Sequence, residues 1–109
     1  MELIEKKCQP CEGGVAPMTD SEIKAMLPRL KQWECKAGKL CKIFPFKNYY
    51  QTIAFVNAIA WMAHQENHHP VLEVHFKQCQ VTYYTHAING ISENDFICAA
   101  KVDALLPKE

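Results

Sequence analysis

Hydrophobic positions along this chain recur with two periods, about 3.6 residues and 2, and the switches between them divide it into seven elements. Ile23, Met26, Leu27 and Leu30 lie at helical spacing behind Thr19-Asp20-Ser21, whose side-chain oxygens can cap a first helix. Pro28 falls inside that pattern and predicts an end or kink near Met26 or Leu27. Residues 33–36 and 39–46 read as two strands around Ala37-Gly38. Asn48 can cap a second, long helix running to about His68, with Ile53, Val56, Ala60 and Ala63 on one face and Pro70 as its stop. Residues 71–76 and 79–86, rich in β-branched and aromatic side chains, predict two more strands joined by a tight turn at Lys77-Gln78. After a loop at Asn89-Gly90, Ser92 opens a third helix with Ile97, Ala100 and Ala104 on a shared face.

The order α-β-β-α-β-β-α, with hairpins separated by helices, predicts the α+β class: a four-stranded antiparallel sheet with helices on one face. Residues 1–18, with Pro10, Gly13, Gly14 and Pro17, read as an irregular arm ahead of a single domain at 19–109. A chain of 109 residues is large enough for one core and short for two.

Charge and composition narrow the function. Twelve basic residues balance twelve acidic ones, so the basic footprint of a protein that binds nucleic acid directly is missing. No apolar run approaches the roughly 18 residues of a membrane span. Residues 1–10 are charged and have no apolar core of a secretory signal. The expectation is a soluble cytoplasmic protein whose six cysteines are reduced thiols. Cys8 and Cys11 form a Cys-x-x-Cys, but a closed zinc site needs about four ligands and no second such pair follows. The pair also does not sit at a strand-to-helix junction, and it reads as structural or incidental. Cys35, Cys41, Cys79 and Cys98 read as small hydrophobes in or near packed elements.

The histidines point to chemistry. Of five, His64, His68, His69 and His86 fall in or just after the centre of the chain, and imidazole exchanges protons near neutrality. His64 and His68 are four apart and would share a helical face. In His64-Gln65-Glu66-Asn67-His68 the glutamate points about 200° away from His64, which excludes the base of a helical zinc protease. A zinc site of another kind, using His64, His68 and His69, stays open on ligand spacing. His68 and His69 close a helix, where the macrodipole favours imidazolium, a suitable place for a general acid and equally for a simple C-cap. His86 would close the last strand. Ser92-Glu93-Asn94-Asp95 has the form of a capping box, so Asp95 taken alone reads as structural.

Taken together, these positions resemble the pterin-4a-carbinolamine dehydratase family. Its signature combines a polar residue, His-His-Pro, an aromatic residue, a histidine and an aspartate, matched here by His64, His68-His69-Pro70, Phe76, His86 and Asp95. Thr85-His86, Gly90-Ile91-Ser92-Glu93 and the N-terminal Cys-x-x-Cys-Glu-Gly-Gly are also similar to the family.

The resemblance implies a fold of the order given above and removal of water from 4a-hydroxytetrahydropterin to give quinonoid dihydropterin. It implies no metal and no organic cofactor, a small-molecule pterin as partner, and assembly as homodimer or homotetramer through sheet extension and helix packing. It also implies His68, His69 and His86 as active-site histidines. His68 and His86 would share acid and base duties while His69 binds or orients the pterin. His64, Phe76 and Asp95 are then expected to bind or orient substrate or a neighbouring histidine. Two positions depart from animal members: His64 stands where an acidic residue is usual, and Leu72 where tryptophan is frequent. The family's fold also carries partner-binding roles without catalysis, as dimerisation cofactors of transcription factors, assembly chaperones, or in molybdopterin-related metabolism. The retained histidines favour the enzyme.

Overall fold

A computed structural model describes residues 2–10 and 16–106. Cys11, Gly13 and Gly14, and with them half of the Cys-x-x-Cys pair, lie outside the described residues.

Helix α1 (Asp20–Met26) begins where Thr19 and Glu22 close a capping box, Glu22 N–H donating to Thr19 Oγ1 at 3.2 Å and Thr19 N–H to Glu22 Oε1 at 2.8 Å. Pro28 cannot continue the helix, and the chain tightens into a 3-10 turn over Leu27–Arg29. Strands β1 (Glu34–Lys36) and β2 (Lys39–Pro45) are joined by Ala37 (φ 51°) and Gly38 (φ 73°), the paired positive φ values of a two-residue hairpin turn. Helix α2 (Tyr49–Glu66) is capped by Asn48, whose Oδ1 accepts Gln51 N–H at 2.9 Å. Strands β3 (Val71–Val74) and β4 (Gln78–Tyr83) form the second hairpin, and α3 (Glu93–Asp103) completes the order expected.

The sheet is antiparallel, in the order β1-β2-β4-β3, so the two long strands are central and β1 and β3 are edges. Alternation sets its two faces. Leu40, Phe44, Cys79, Val81 and Tyr83 are buried beneath α2 and α3, whereas Cys41, Ile43, Gln80 and Thr82 point the other way and stay partly or largely exposed. Each large apolar side chain so covered contributes about 1.5–3 kcal/mol. Phe55 of α2 packs between Phe44 and Phe46, with ring centres at 4.8 and 4.9 Å. Trp33 meets Phe44 edge-on and donates from Nε1 to Asp103 Oδ2 at 3.0 Å, while Lys42 Nζ takes the other oxygen at 2.9 Å. Asp103 thereby fixes the end of α3 to β2. Thr52 does the same for the start of α2, its one hydroxyl proton shared between Asn48 O (3.0 Å) and Phe76 O (3.1 Å) in the β3–β4 turn.

Several expectations are corrected. The buried stripe of α2 is Thr52, Phe55, Ile59, Met62, Ala63 and Glu66; Ile53 and Val56 are only half-buried and Ala60 is exposed. The helix is apolar around much of its girth, so period alone could not choose the face. In α3 the core takes Phe96, Ile97, Cys98, Ala99 and Val102, with Ala104 exposed. This helix is covered on a second side by the N-terminal residues: Leu3 is buried, Lys6 pairs with Glu93 at 2.7 Å, and Gln9 exchanges hydrogen bonds with the Asn94 amide at 3.0 and 2.6 Å. Strand β3 stops at Val74 and β4 at Tyr83, and the hairpin turns at Phe76-Lys77, closed by His75 N–H to Gln78 O at 2.8 Å.

The most consequential correction is the end of α2. Asn67 adopts the left-handed conformation (φ 52°, ψ 40°), with His68 N–H bonded to Ala63 O at 3.1 Å and Asn67 N–H to His64 O at 3.3 Å. This is a Schellman motif, which stops the helix two residues earlier than expected and places His68 beyond it. His64 and His68 therefore do not share a helical face. Because a non-glycine side chain in this conformation costs about 1–2 kcal/mol and asparagine is among the best tolerated, Asn67→Ala should lower stability by about 1 kcal/mol and Asn67→Gly should not, as read by urea unfolding.

Candidate active site

Three segments leave the core at one end of the sheet and converge. The first is the linker His68-His69-Pro70 between α2 and β3. The second is the loop after β4, pinched by an antiparallel bridge between Thr85 and Gly90, with N–H to O distances of 2.8 and 3.3 Å. Within it His86–Ile88 form a 3-10 turn that ends on Asn89 at φ 50°. His86 thus lies in a turn beyond the strand, not at its end, because Tyr84 breaks the pairing before it is reached. The third segment is the first turn of α3, which carries Asp95.

Gly90 is required by close approach. A Cβ at this position would lie 2.5 Å from Pro17 Cβ, so the segment entering α1 is seated directly on the loop. Met18 N–H to Ile91 O, 2.8 Å, holds it there.

Asp95 is fully buried and joins the three segments. Its Oδ1 meets His68 Nε2 at 2.6 Å, and its Oδ2 accepts from Thr85 Oγ1 at 2.8 Å and from Ser92 N–H at 2.9 Å. Ser92 and Thr85 hydroxyls also meet at 2.7 Å. The capping-box geometry and the contact with a histidine therefore coexist in one carboxylate. The His68 ring is stacked on Tyr83 at 5.4 Å and 20°, which fixes its plane. Its position is also electrostatically apt: it follows the carbonyl end of α2, and Asp95 sits at the amide end of α3. Burial alone would pull the His68 pKa down, but the hydrogen bond and charge of Asp95, with a smaller contribution from Cys98, outweigh it and hold the imidazole above its usual value.

A cavity of about 760 Å³ opens in front of this pair, a volume within the usual range for small-molecule sites. His68, His69 and His86 all line it, with Tyr84, Thr85 and Asn67. Its other wall is the N-terminal segment Cys8, Gln9 and Pro10, anchored where Cys8 N–H donates to Glu66 Oε1 at 2.9 Å. Glu66 is itself paired with Lys101 at 2.8 Å. Burial would raise its carboxyl, but the Cys8 amide and the Lys101 ammonium prevail and keep it below its ordinary value.

The other two expected residues lie elsewhere. His64 is exposed beside Trp61, ring centres 5.6 Å apart, and lines a shallower cavity of about 390 Å³ with His68, His69 and Leu72. Phe76 is 65% exposed in the β3–β4 turn next to Tyr49 and does not line the large cavity. Among the described residues, no three His, Cys, Asp or Glu side chains are grouped to hold a metal ion, so His64, His68 and His69 do not assemble as ligands. Sequence reasoning missed Tyr83 under His68, Tyr84 in the wall, and the clamp of Cys8 by Glu66. Only Thr85, adjacent to His86, carried a local hint.

A family profile described as pterin 4 alpha carbinolamine dehydratase matches residues 16–105. The chain belongs to this family. A relative from Nitrosomonas eutropha is 57% identical over 106 residues, 96% of this chain and 94% of its own, and its name assigns it provisionally as a pterin-4-alpha-carbinolamine dehydratase. One from Legionella pneumophila with the same provisional name is 51% identical over 108 residues, covering 96% of each chain. A crystal structure of a transcriptional coactivator/pterin dehydratase from Brucella melitensis superimposes with a TM-score of 0.78 at 28% identity, over 82% of this chain and 97% of its own. A second solved structure, of a pterin dehydratase-like protein identified as a RuBisCO assembly factor in the alpha-carboxysome, gives 0.57 at 28% identity, over 70% and 88%. The family's α+β fold with a four-stranded antiparallel sheet is thus the fold of this chain. No helix among the described residues is long and apolar enough to cross a membrane.

The arrangement generates a test of its own. The His68 imidazole should titrate above the ordinary histidine value of about 6.5. In Asp95→Asn it should fall below that value, since burial remains while the countercharge is gone. Proton–carbon NMR of the imidazole signals reads both. By linkage, the stability that this pair contributes is complete below the ordinary value and disappears as pH rises through the raised one.

Proposed function

We propose that this protein removes water from 4a-hydroxytetrahydropterin by imidazole acid–base catalysis, in the recycling of a tetrahydropterin cofactor. The observation that carries the reading is the pairing of His68 with buried Asp95 at a cavity shared with His69 and His86. Hydroxide is a poor leaving group, so the 4a oxygen needs a proton as its bond to carbon breaks. His68, held protonated by Asp95, is the acid. The N5 lone pair forms the new C4a–N5 double bond, and His86, on the exposed side of the cavity, accepts the N5 proton. His69 binds or orients the ring. Water and quinonoid dihydropterin leave, and every proton is accounted for by the two imidazoles. No cofactor enters this scheme, and the reaction suits a cytoplasmic protein.

We assign the outer face of α2 and the edge strand β3 to self-association as a homodimer or homotetramer. Val71 and Val74 are exposed along β3, an unpaired edge. Tyr50 is 81% and Trp61 65% exposed on α2. His64 belongs to this surface, and its route to substrate is the smaller cavity it shares with His68 and His69. Phe76 is assigned to subunit packing. The rival reading is a partner-binding role without catalysis, of the kind suggested by the relative identified as a RuBisCO assembly factor.

Ultraviolet decay of freshly generated 4a-hydroxytetrahydropterin separates the two. The protein should accelerate decay, with His68→Ala and His86→Ala each losing about 10² to 10⁴-fold of that acceleration. An unchanged spontaneous rate with wild type removes the enzyme reading. Because the acid must be protonated, the rate should fall as pH rises through the raised His68 pKa, and Asp95→Asn should move that limb to lower pH. Sedimentation should find an oligomer for wild type and a smaller species for Val74→Lys.

A further inference from the structure

Among the described residues, Cys8 is the one cysteine lining the cavity, and the dehydration leaves its thiol unused. Its sulfur lies 3.5 Å from that of Cys98, which is fully buried on α3. The two residues are 90 positions apart and both are free thiols. The contact is not an accident of a loose terminus, because the Cys8 backbone is held by Glu66 and the neighbouring Gln9 by both ends of the Asn94 amide. Cys8 Sγ also lies 3.7 Å from Asn94 O, one turn before Cys98 on the same helix. Cys98 in turn approaches His68 O at 3.9 Å.

We infer that Cys8 and Cys98 form a thiol–disulfide exchange site, in which Cys8 takes up a small-molecule disulfide from the cavity and Cys98 resolves it. A disulfide requires the sulfurs to close from 3.5 Å to about 2 Å. The roles follow from access. Cys8 opens to the cavity and Cys98 does not, so an external disulfide meets Cys8. The Cys8 sulfur attacks one sulfur of the external disulfide, forming a mixed disulfide and releasing one thiol, which carries away the Cys8 proton. Cys98 then attacks Cys8, releasing the second thiol with its own proton. Two protein thiols are oxidised and one external disulfide is reduced to two thiols, as exchange requires. The shared proton sits on Cys8: that contact and burial hold the Cys8 thiol above its usual value, so it must shed its proton as it attacks. The same contact and the nearby His68 charge hold Cys98 below its own, as suits a resolving thiol. The product fastens the cavity wall to α3 covalently, beside His68. The inference goes beyond the dehydratase reading and does not need it.

The test treats the full chain with oxidised glutathione, alkylates remaining thiols, and maps peptides without reduction. Wild type should lose two hydrogens in mass and yield a Cys8–Cys98 cross-linked peptide, reversed by dithiothreitol. Cys98→Ala should stop at a glutathione adduct on Cys8. Cys8→Ala should show no adduct on Cys98. A Cys8–Cys11 link, a lasting adduct on Cys8 in wild type, or no modification of Cys8 at all would each overturn the inference. None of these readouts depends on pterin turnover.

Discussion

One buried carboxylate organises the functional end of this molecule. Asp95 has no exposure to solvent, and a charge so placed persists only when its oxygens are satisfied. Its three partners come from three segments: an imidazole from the α2–β3 linker, a hydroxyl from the loop after β4, and an amide from the start of its own helix. Removing any partner leaves the carboxylate short of a donor in a low-dielectric setting, so the demand of Asp95 for hydrogen bonds is also what draws the histidine-bearing segments together. Helix capping and imidazole orientation are two results of the same requirement.

This joint role explains why the site is only partly readable from the chain. The capping box at Ser92-Asp95 is a local pattern and is visible there, as are the Asn48 cap, the Ala37-Gly38 turn and the break at Pro28. The His68–Asp95 contact spans 27 positions and has no local trace; only the family signature links the two residues. The apolar pattern ends at Ala63, short of Asn67, and does not mark the helix end; Pro70 offers the more conspicuous stop, and a helix read up to it overruns the true end. That overrun alone generates the mistaken shared face of His64 and His68. Phe76 and His64 fit the signature by spacing, yet spacing along a chain carries no information about which side of a hairpin or helix faces a cavity within one subunit.

The N-terminal segment changes the meaning of α3. Its helix would have one buried and one wet side if residues 2–10 lay free. With Leu3, Cys8 and Gln9 packed along it, α3 becomes an interior element and the cavity acquires a second wall. The Glu66–Lys101 pair that holds this wall stands between the two long helices, so the arm is fastened to the same two helices whose ends bring His68 and Asp95 together.

The contact between Gly90 and Pro17 bears on how the His86 loop could vary. A loop is ordinarily the part of a fold most tolerant of change, but this one lies beneath a proline with no room for even a methyl group at its closing residue. The two positions, 73 apart in the chain, act as one steric unit: bulk added at Gly90 must be removed from Pro17. The placing of His86 is therefore written partly in Pro17, which precedes the first helix and is not among the residues that line the cavity.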